Sequence, residues 1–96
     1  MGENTMLVRA RILVSGQVQG VYFRASARAV ARQHRLGGWV RNCVDGSVEV
    51  LVEGEHTAVQ AFVAWCHDGP PAARVTDVQV SWELYQGEFG DFVVRG

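Results

Sequence analysis

The sequence predicts an α+β fold, and three observations carry that prediction. Apolar and polar residues alternate along several short segments, as in strands with one buried face. Along two other segments the apolar residues recur every three or four positions, as on one side of a helix. The main glycine and proline clusters fall between these segments. A chain of 96 residues allows one compact domain, expected over residues 1–96 with its core at about 7–95. With 48% apolar and 20% charged residues it has the balance of a folded globular protein rather than a disordered one.

From Leu7 to Ser15, Val8, Ala10, Ile12 and Val14 fall on one face and Arg9 and Arg11 on the other, which predicts a first strand. Tyr22 to Leu36 reads as the first helix. Phe23, Ala27, Val30, Ala31 and His34 share its inner face, Arg28, Arg32 and Arg35 take the outer one, and Gly37 ends it. Trp39 to Val44 and Ser47 to Glu53 are β-rich runs joined at Asp45-Gly46, a dipeptide that tolerates the positive φ angles of a tight hairpin. Thr57 with Gln60 reads as a capping box, and Val59, Phe62, Val63 and Cys66 form the stripe of a second helix that closes before Gly69-Pro70-Pro71. Val78, Val80, Trp82 and Leu84 alternate along a further strand, and Asp91 to Arg95 can add a short last one after a turn at Gly87 to Gly90. The order β-α-β-β-α-β packs most economically as a ferredoxin-like sandwich, an antiparallel sheet with two helices on one face.

A formal net charge of −1 and a pI near 6.3 create no global field for nucleic acid or an anionic membrane, so any anion binding has to be local. Cys43 and Cys66 show neither CxxC nor framework spacing, which points to free thiols in a reducing compartment. Met1 to Met6 carry no basic and apolar signal pattern, and no run of about 18 apolar residues follows. Met6 stands where a myristoylation motif after Gly2 needs Ser or Thr. A cytoplasmic protein that does not enter membranes is expected.

The segment Gly16-Gln17-Val18-Gln19-Gly20-Val21-Tyr22-Phe23-Arg24 joins the first strand to the first helix and is the most unusual part of the chain. Glycines let successive N–H groups converge, and the helix that follows adds unpaired N–H groups and a positive dipole end. An anion of phosphate size fits such a cradle. Two glycines alone can also simply turn the chain, and the segment matches neither of the familiar nucleotide loops. Arg24 shifts the balance: a cation in the first turn opposes the macrodipole unless an anion compensates it, and a guanidinium pairs with phosphate oxygens. The alternative is an exposed surface arginine.

Asn42 is the second residue out of pattern, a poor strand former in Trp39-Val40-Arg41-Asn42. Period two puts it on the face of Val40, near the loop after the first strand, unless it merely bonds its own turn. Cys43 is expected on the opposite face. His34, His56 and His67 lack metal-ligand spacing and read as packing or surface residues, so no metal is expected. No serine, cysteine or lysine nucleophile pattern of the common covalent hydrolases is present.

Two stretches resemble the acylphosphatase family closely: Val14 to Arg24, at every defined position of the phosphate-loop signature, and Gly38-Trp39-Val40-Arg41-Asn42 through Gly46 and Val48 to Gly54. The resemblance implies hydrolysis of acyl phosphates to a carboxylate and inorganic phosphate, with no metal or cofactor. It carries phosphate binding onto Gln17, Val18, Gln19, Gly20, Val21, Tyr22, Phe23 and Arg24, catalysis onto Arg24 and water positioning onto Asn42. It also implies that the water's proton passes to a phosphate oxygen of the substrate. Cys43 after the asparagine is one of few departures. The expected partner is a small acyl phosphate and the expected state a monomer, with no nucleic acid.

Two other readings compete. The same fold hosts RNA-binding modules, for which Trp39, Trp82 and Tyr85 would serve as stacking platforms, but Ser47 to Glu53 lacks the aromatic strand signature and the chain is slightly acidic. Similar domains also act as carbamoyl-phosphate-handling accessories within larger hydrogenase-maturation proteins. Comparing acetyl with carbamoyl phosphate as substrates separates that role from an independent enzyme.

Overall fold

A computed structural model describes residues 6–96, so the segment Met1 to Thr5, read above for targeting signals, lies outside the described residues. The elements run β1 (Leu7–Gln17), α1 (Phe23–Gln33), β2 (Gly37–Asn42), β3 (Val48–Glu55), α2 (His56–Asp68), β4 (Arg74–Glu83) and β5 (Phe92–Val94). They form one five-stranded sheet in the order β4-β1-β3-β2-β5. The four long strands pair antiparallel, Arg9 facing Glu53 on one side and Glu83 on the other. The tail strand β5 differs from the antiparallel expectation and runs parallel to β2, pairing Trp39 with Val93. It does so because the chain leaves β4 at one edge, crosses the sheet and enters β5 at the far edge in the direction of β2.

Strand alternation splits the sheet into two different faces. Ala10, Ile12 and Val14 of β1, Val40 of β2 and Val48, Val50 and Val52 of β3 are fully buried on one of them, in one core with Phe23, Ala27 and Ala31 of α1 and Val59, Phe62 and Cys66 of α2. Each buried aliphatic or aromatic side chain contributes about 1.5–3 kcal/mol by leaving water. Phe62 sits at the centre, its ring 5.9 Å from both Trp65 and Phe92. The other face carries charge. Arg9 lies 2.9 Å from Glu88, and the Glu53 carboxylate accepts the backbone N–H groups of Gln86 at 2.7 Å and Glu88 at 3.1 Å. That carboxylate holds the β4–β5 connection against the open face of the sheet.

Several boundaries depart from the sequence reading for local reasons. Helix α1 stops at Gln33, and its left-handed turn is made by Arg35 at φ 57° rather than by Gly37, with the Leu36 N–H reaching back to the Ala31 carbonyl at 2.9 Å. His34 becomes the exposed C-cap instead of a buried position. Gly37 belongs to β2, where an added Cβ would press on Phe89. The capping box at Thr57 does not form, because β3 runs straight into α2 and the N-cap falls on Glu55; the His56 N–H is taken by the Met6 carbonyl at 2.9 Å. In the β2–β3 turn only Gly46 takes a positive φ, 96°. Asp45 acts through its carboxylate, which accepts the Ser47 hydroxyl and N–H and is thereby held below the usual carboxylate pKa.

The two thiols occupy different environments. Cys66 is buried in the core and burial pushes its thiol up to about 12, whereas Cys43 is only half-buried. A thiolate is the reactive species, so one thiol should react with an aromatic disulfide reagent in the native protein at pH 8 and two in denaturant. Rapid release of two equivalents without unfolding would contradict this packing of α2.

Candidate active site

The site begins where β1 stops being regular. The β1–β4 register shifts at Ser15 and Gly16, and Gly16 takes φ 124° where any Cβ would collide with the Arg74 carbonyl. Beyond this bulge Gln17 still pairs with Arg74, Val18 tucks into the core, and Gly20 turns the chain at φ 75°. Tyr22, at the N-cap position of α1, is left-handed at φ 66°, a conformation that costs a non-glycine residue about 1–2 kcal/mol. No side chain caps α1 and no acid stands in its first turn. The N–H groups of that turn lack carbonyl partners by helix geometry, so the positive end of the helix is left open beside two left-handed residues.

Arg24 lies in this turn, its Nη1 donating to the Arg95 carbonyl at 3.2 Å. The last strand thus reaches across to orient the guanidinium. Asn42 ends β2 on the face of Val40, and its Oδ1 is buried with no hydrogen-bond partner among the described residues. Leaving a buried carbonyl unpaired costs about 1–3 kcal/mol, so this atom calls for a donor. Arg24 and Asn42 line one open pocket of about 470 Å³ together with Val18, Gly20, Tyr22, Phe23, Ala25, Arg28 and Val94. Among the described residues no carboxylate lines it.

The predicted loop residues therefore divide. Val18, Gly20, Tyr22, Phe23 and Arg24 border the pocket with Asn42, whereas Gln17, Gln19 and Val21 do not. Gln17 is the last residue of the β1 ladder, and Val21 packs partly against the core. The Gln19 amide turns away and donates to the Cys43 and Ser47 carbonyls, both at 2.8 Å, clipping the loop to the β2–β3 turn that holds Asn42. Three contributors were not legible in the sequence: Arg28, assigned there to the outer face of the helix, Val94, and the carbonyl of Arg95. The four-residue spacing of Arg24, Arg28 and Arg32 was the available signal for the first of these.

His34 and His67 are exposed, and His56 meets the Trp82 ring edge-on at 5.3 Å. Among the described residues no three His, Cys, Asp or Glu side chains gather as a metal-ligand set, and no helix is long and apolar enough to cross a membrane.

The chain is similar to known proteins in both sequence and fold. A family profile described as Acylphosphatase matches residues 10–94. An acylphosphatase of Anaeromyxobacter sp. (strain Fw109-5) is 61% identical over 89 residues, which cover 93% of this chain and 96% of that protein. The crystal structure of acylphosphatase from Bacillus subtilis superposes with a TM-score of 0.89 at 40% identity, covering 95% of this chain and 100% of the other. An acylphosphatase structure from Coxiella burnetii gives 0.88 at 37% identity over 93% of each chain. With its fold and nearly its whole length shared with these proteins, the chain belongs to the acylphosphatase family of hydrolases.

Proposed function

We propose that this acylphosphatase binds the phosphoryl group of its substrate on those backbone N–H groups that the loop from Gln17 to Arg24 presents to the pocket and on the Arg24 guanidinium, and that Asn42 orients the attacking water. The observation that supports this most directly is the meeting of three features in one pocket: an uncapped helix N-terminus, an arginine and a buried amide oxygen without a partner. In the same reading the chain acts as a single domain, a monomeric cytoplasmic enzyme on small acyl phosphates, without nucleic acid.

The chemistry fits so sparse a site. Attack by water forms a P–O bond and breaks the P–O bond to the acyl oxygen, and the electron pair leaves with a carboxylate. A carboxylate is a weak base and departs unprotonated, so no acidic side chain is required. What remains is positioning and the neutralisation of the three equatorial oxygens. Asn42 Oδ1 can accept one O–H of the water and leave its lone pair aimed at phosphorus. An amide cannot take up the second proton, which passes to an oxygen of the phosphoryl group.

Phosphate release from benzoyl phosphate in EDTA tests these roles. Asn42→Ala should lose about 10²-fold in kcat while inorganic phosphate inhibits as before, the loss typical of one preorganised group. Near-normal turnover would remove Asn42 from the mechanism. Arg24→Lys keeps the charge but not the paired donors, so both phosphate affinity and turnover should fall. Unaltered inhibition by phosphate in that variant would refute the assignment.

Gln19 has a different expected signature, because its amide joins the loop to the turn after Asn42. Gln19→Ala should cost about 1–2 kcal/mol of stability in urea and lower kcat more than phosphate affinity. A variant of unchanged stability would mean that the two hydrogen bonds are not what holds the loop.

A further inference from the structure

We propose that Arg28 is a specificity residue that recognises a second anionic group, carried on the acyl portion of the substrate. This rests on the reading of the pocket as the phosphoryl site.

Arg28 lines the pocket one helical turn beyond Arg24. Side chains four apart on a helix lie about 5–6 Å from one another at Cβ, so a ligand held at Arg24 has its far end within reach of Arg28. Every ion pair among the described residues is made by Arg9, Arg11, Arg32 or Arg41, and Arg28 enters none. Asp91 feels Arg28 only through space, and its two oxygens are both taken by Arg32, at 3.1 and 2.8 Å.

The row Arg24, Arg28, Arg32 is unfavourable for the helix by itself, since like charges four apart repel. Asp91 relieves it at Arg32 and the proposed phosphoryl group relieves it at Arg24. At Arg28 the described residues offer only the through-space field of Asp91 and no ion-pair partner, and its side chain lines the pocket. Local rules broken beside a site are expected to serve that site. The benefit is small for a neutral acyl group and appears when the acyl chain carries a second charge.

The test compares 3-carboxybenzoyl phosphate with its methyl ester, two rigid substrates that differ in that charge. Wild type, Arg28→Gln and Arg28→Lys are each assayed for kcat/KM on both. The ratio of carboxylate to ester should fall about fivefold in Arg28→Gln, the upper range for one solvent-exposed ion pair, and be largely kept in Arg28→Lys. The wild-type ratio should also shrink as salt rises, with the Arg28→Gln ratio insensitive to it. Equal ratios in all three proteins, or a loss shared equally by both substrates, would overturn the assignment. Failure of the wild type to release phosphate from either compound would instead overturn the acyl phosphate reading, and this inference with it.

Discussion

The constraint on which the site depends is that the first turn of α1 must stay uncapped. An ordinary strand-to-helix connection supplies Ser, Thr, Asp or Asn at the N-cap, and the first N–H groups are then spent inside the protein. Here the N-cap is a left-handed Tyr22, and the turn that follows holds an arginine and no acid. Each choice lowers the stability of the isolated helix. The strained entry persists because its surroundings fix it: the bulge at Gly16 is locked under the Arg74 carbonyl, Val18 and Phe23 are anchored in the core, and Gln19 ties the loop to two carbonyls of the neighbouring turn. The core thus compensates for a helix end that no side chain among the described residues caps.

The charged face of the sheet serves the pocket from behind. With no helices to cover it, Arg9 and Glu53 are nonetheless 8% and 4% exposed, because the β4–β5 connection lies over them. Burying charges is favourable only when their hydrogen bonds are met, and the Glu53 carboxylate meets its own with two backbone donors. Arg9 is less well served: its Nε lies 3.5 Å from Glu83 without hydrogen-bond alignment. The arrangement therefore directs the chain more than it stabilises it. It leads the backbone across the sheet to β5, where Val94 borders the pocket and the Arg95 carbonyl holds Arg24.

The fold was largely readable in the sequence because its signals are periodic and local. Alternation marked Ala10, Ile12 and Val14 as the inner face of β1, and helical spacing marked Val59, Phe62 and Cys66. Arg24 and Asn42 stood out by breaking local rules, and the period of the strand was enough to place Asn42 on the face of Val40. What escaped the reading depends on contacts between distant segments. A parallel partner for β5, the carbonyl of Arg95 and the hydrogen bonds of Gln19 join residues 24 to 71 positions apart, and no window of sequence contains them. Arg35 escaped for another reason: a left-handed arginine is disfavoured by propensity, and the preference was overridden by the need to bring Leu36 back over the helix end.

Net charge and local charge answer different questions in this molecule. The formal total is −1, yet the pocket is lined by two arginines, faces an open helix N-terminus and has no carboxylate from the described residues on its wall. The segregation is achieved by pairing elsewhere. Glu49 accepts from both Arg41 and Arg11, and although burial acts to raise its pKa, those hydrogen bonds outweigh it and keep the carboxylate ionised. Asp91 likewise takes Arg32 in a two-pronged contact. Among the described residues the acids are matched to Arg9, Arg11, Arg32 and Arg41, none of which lines the pocket. Charges farther than a Debye length of about 8 Å at physiological ionic strength are screened, so an anion approaching the pocket responds to its wall and little to the total. A nearly neutral protein can in this way present a strongly cationic site without becoming a general binder of polyanions.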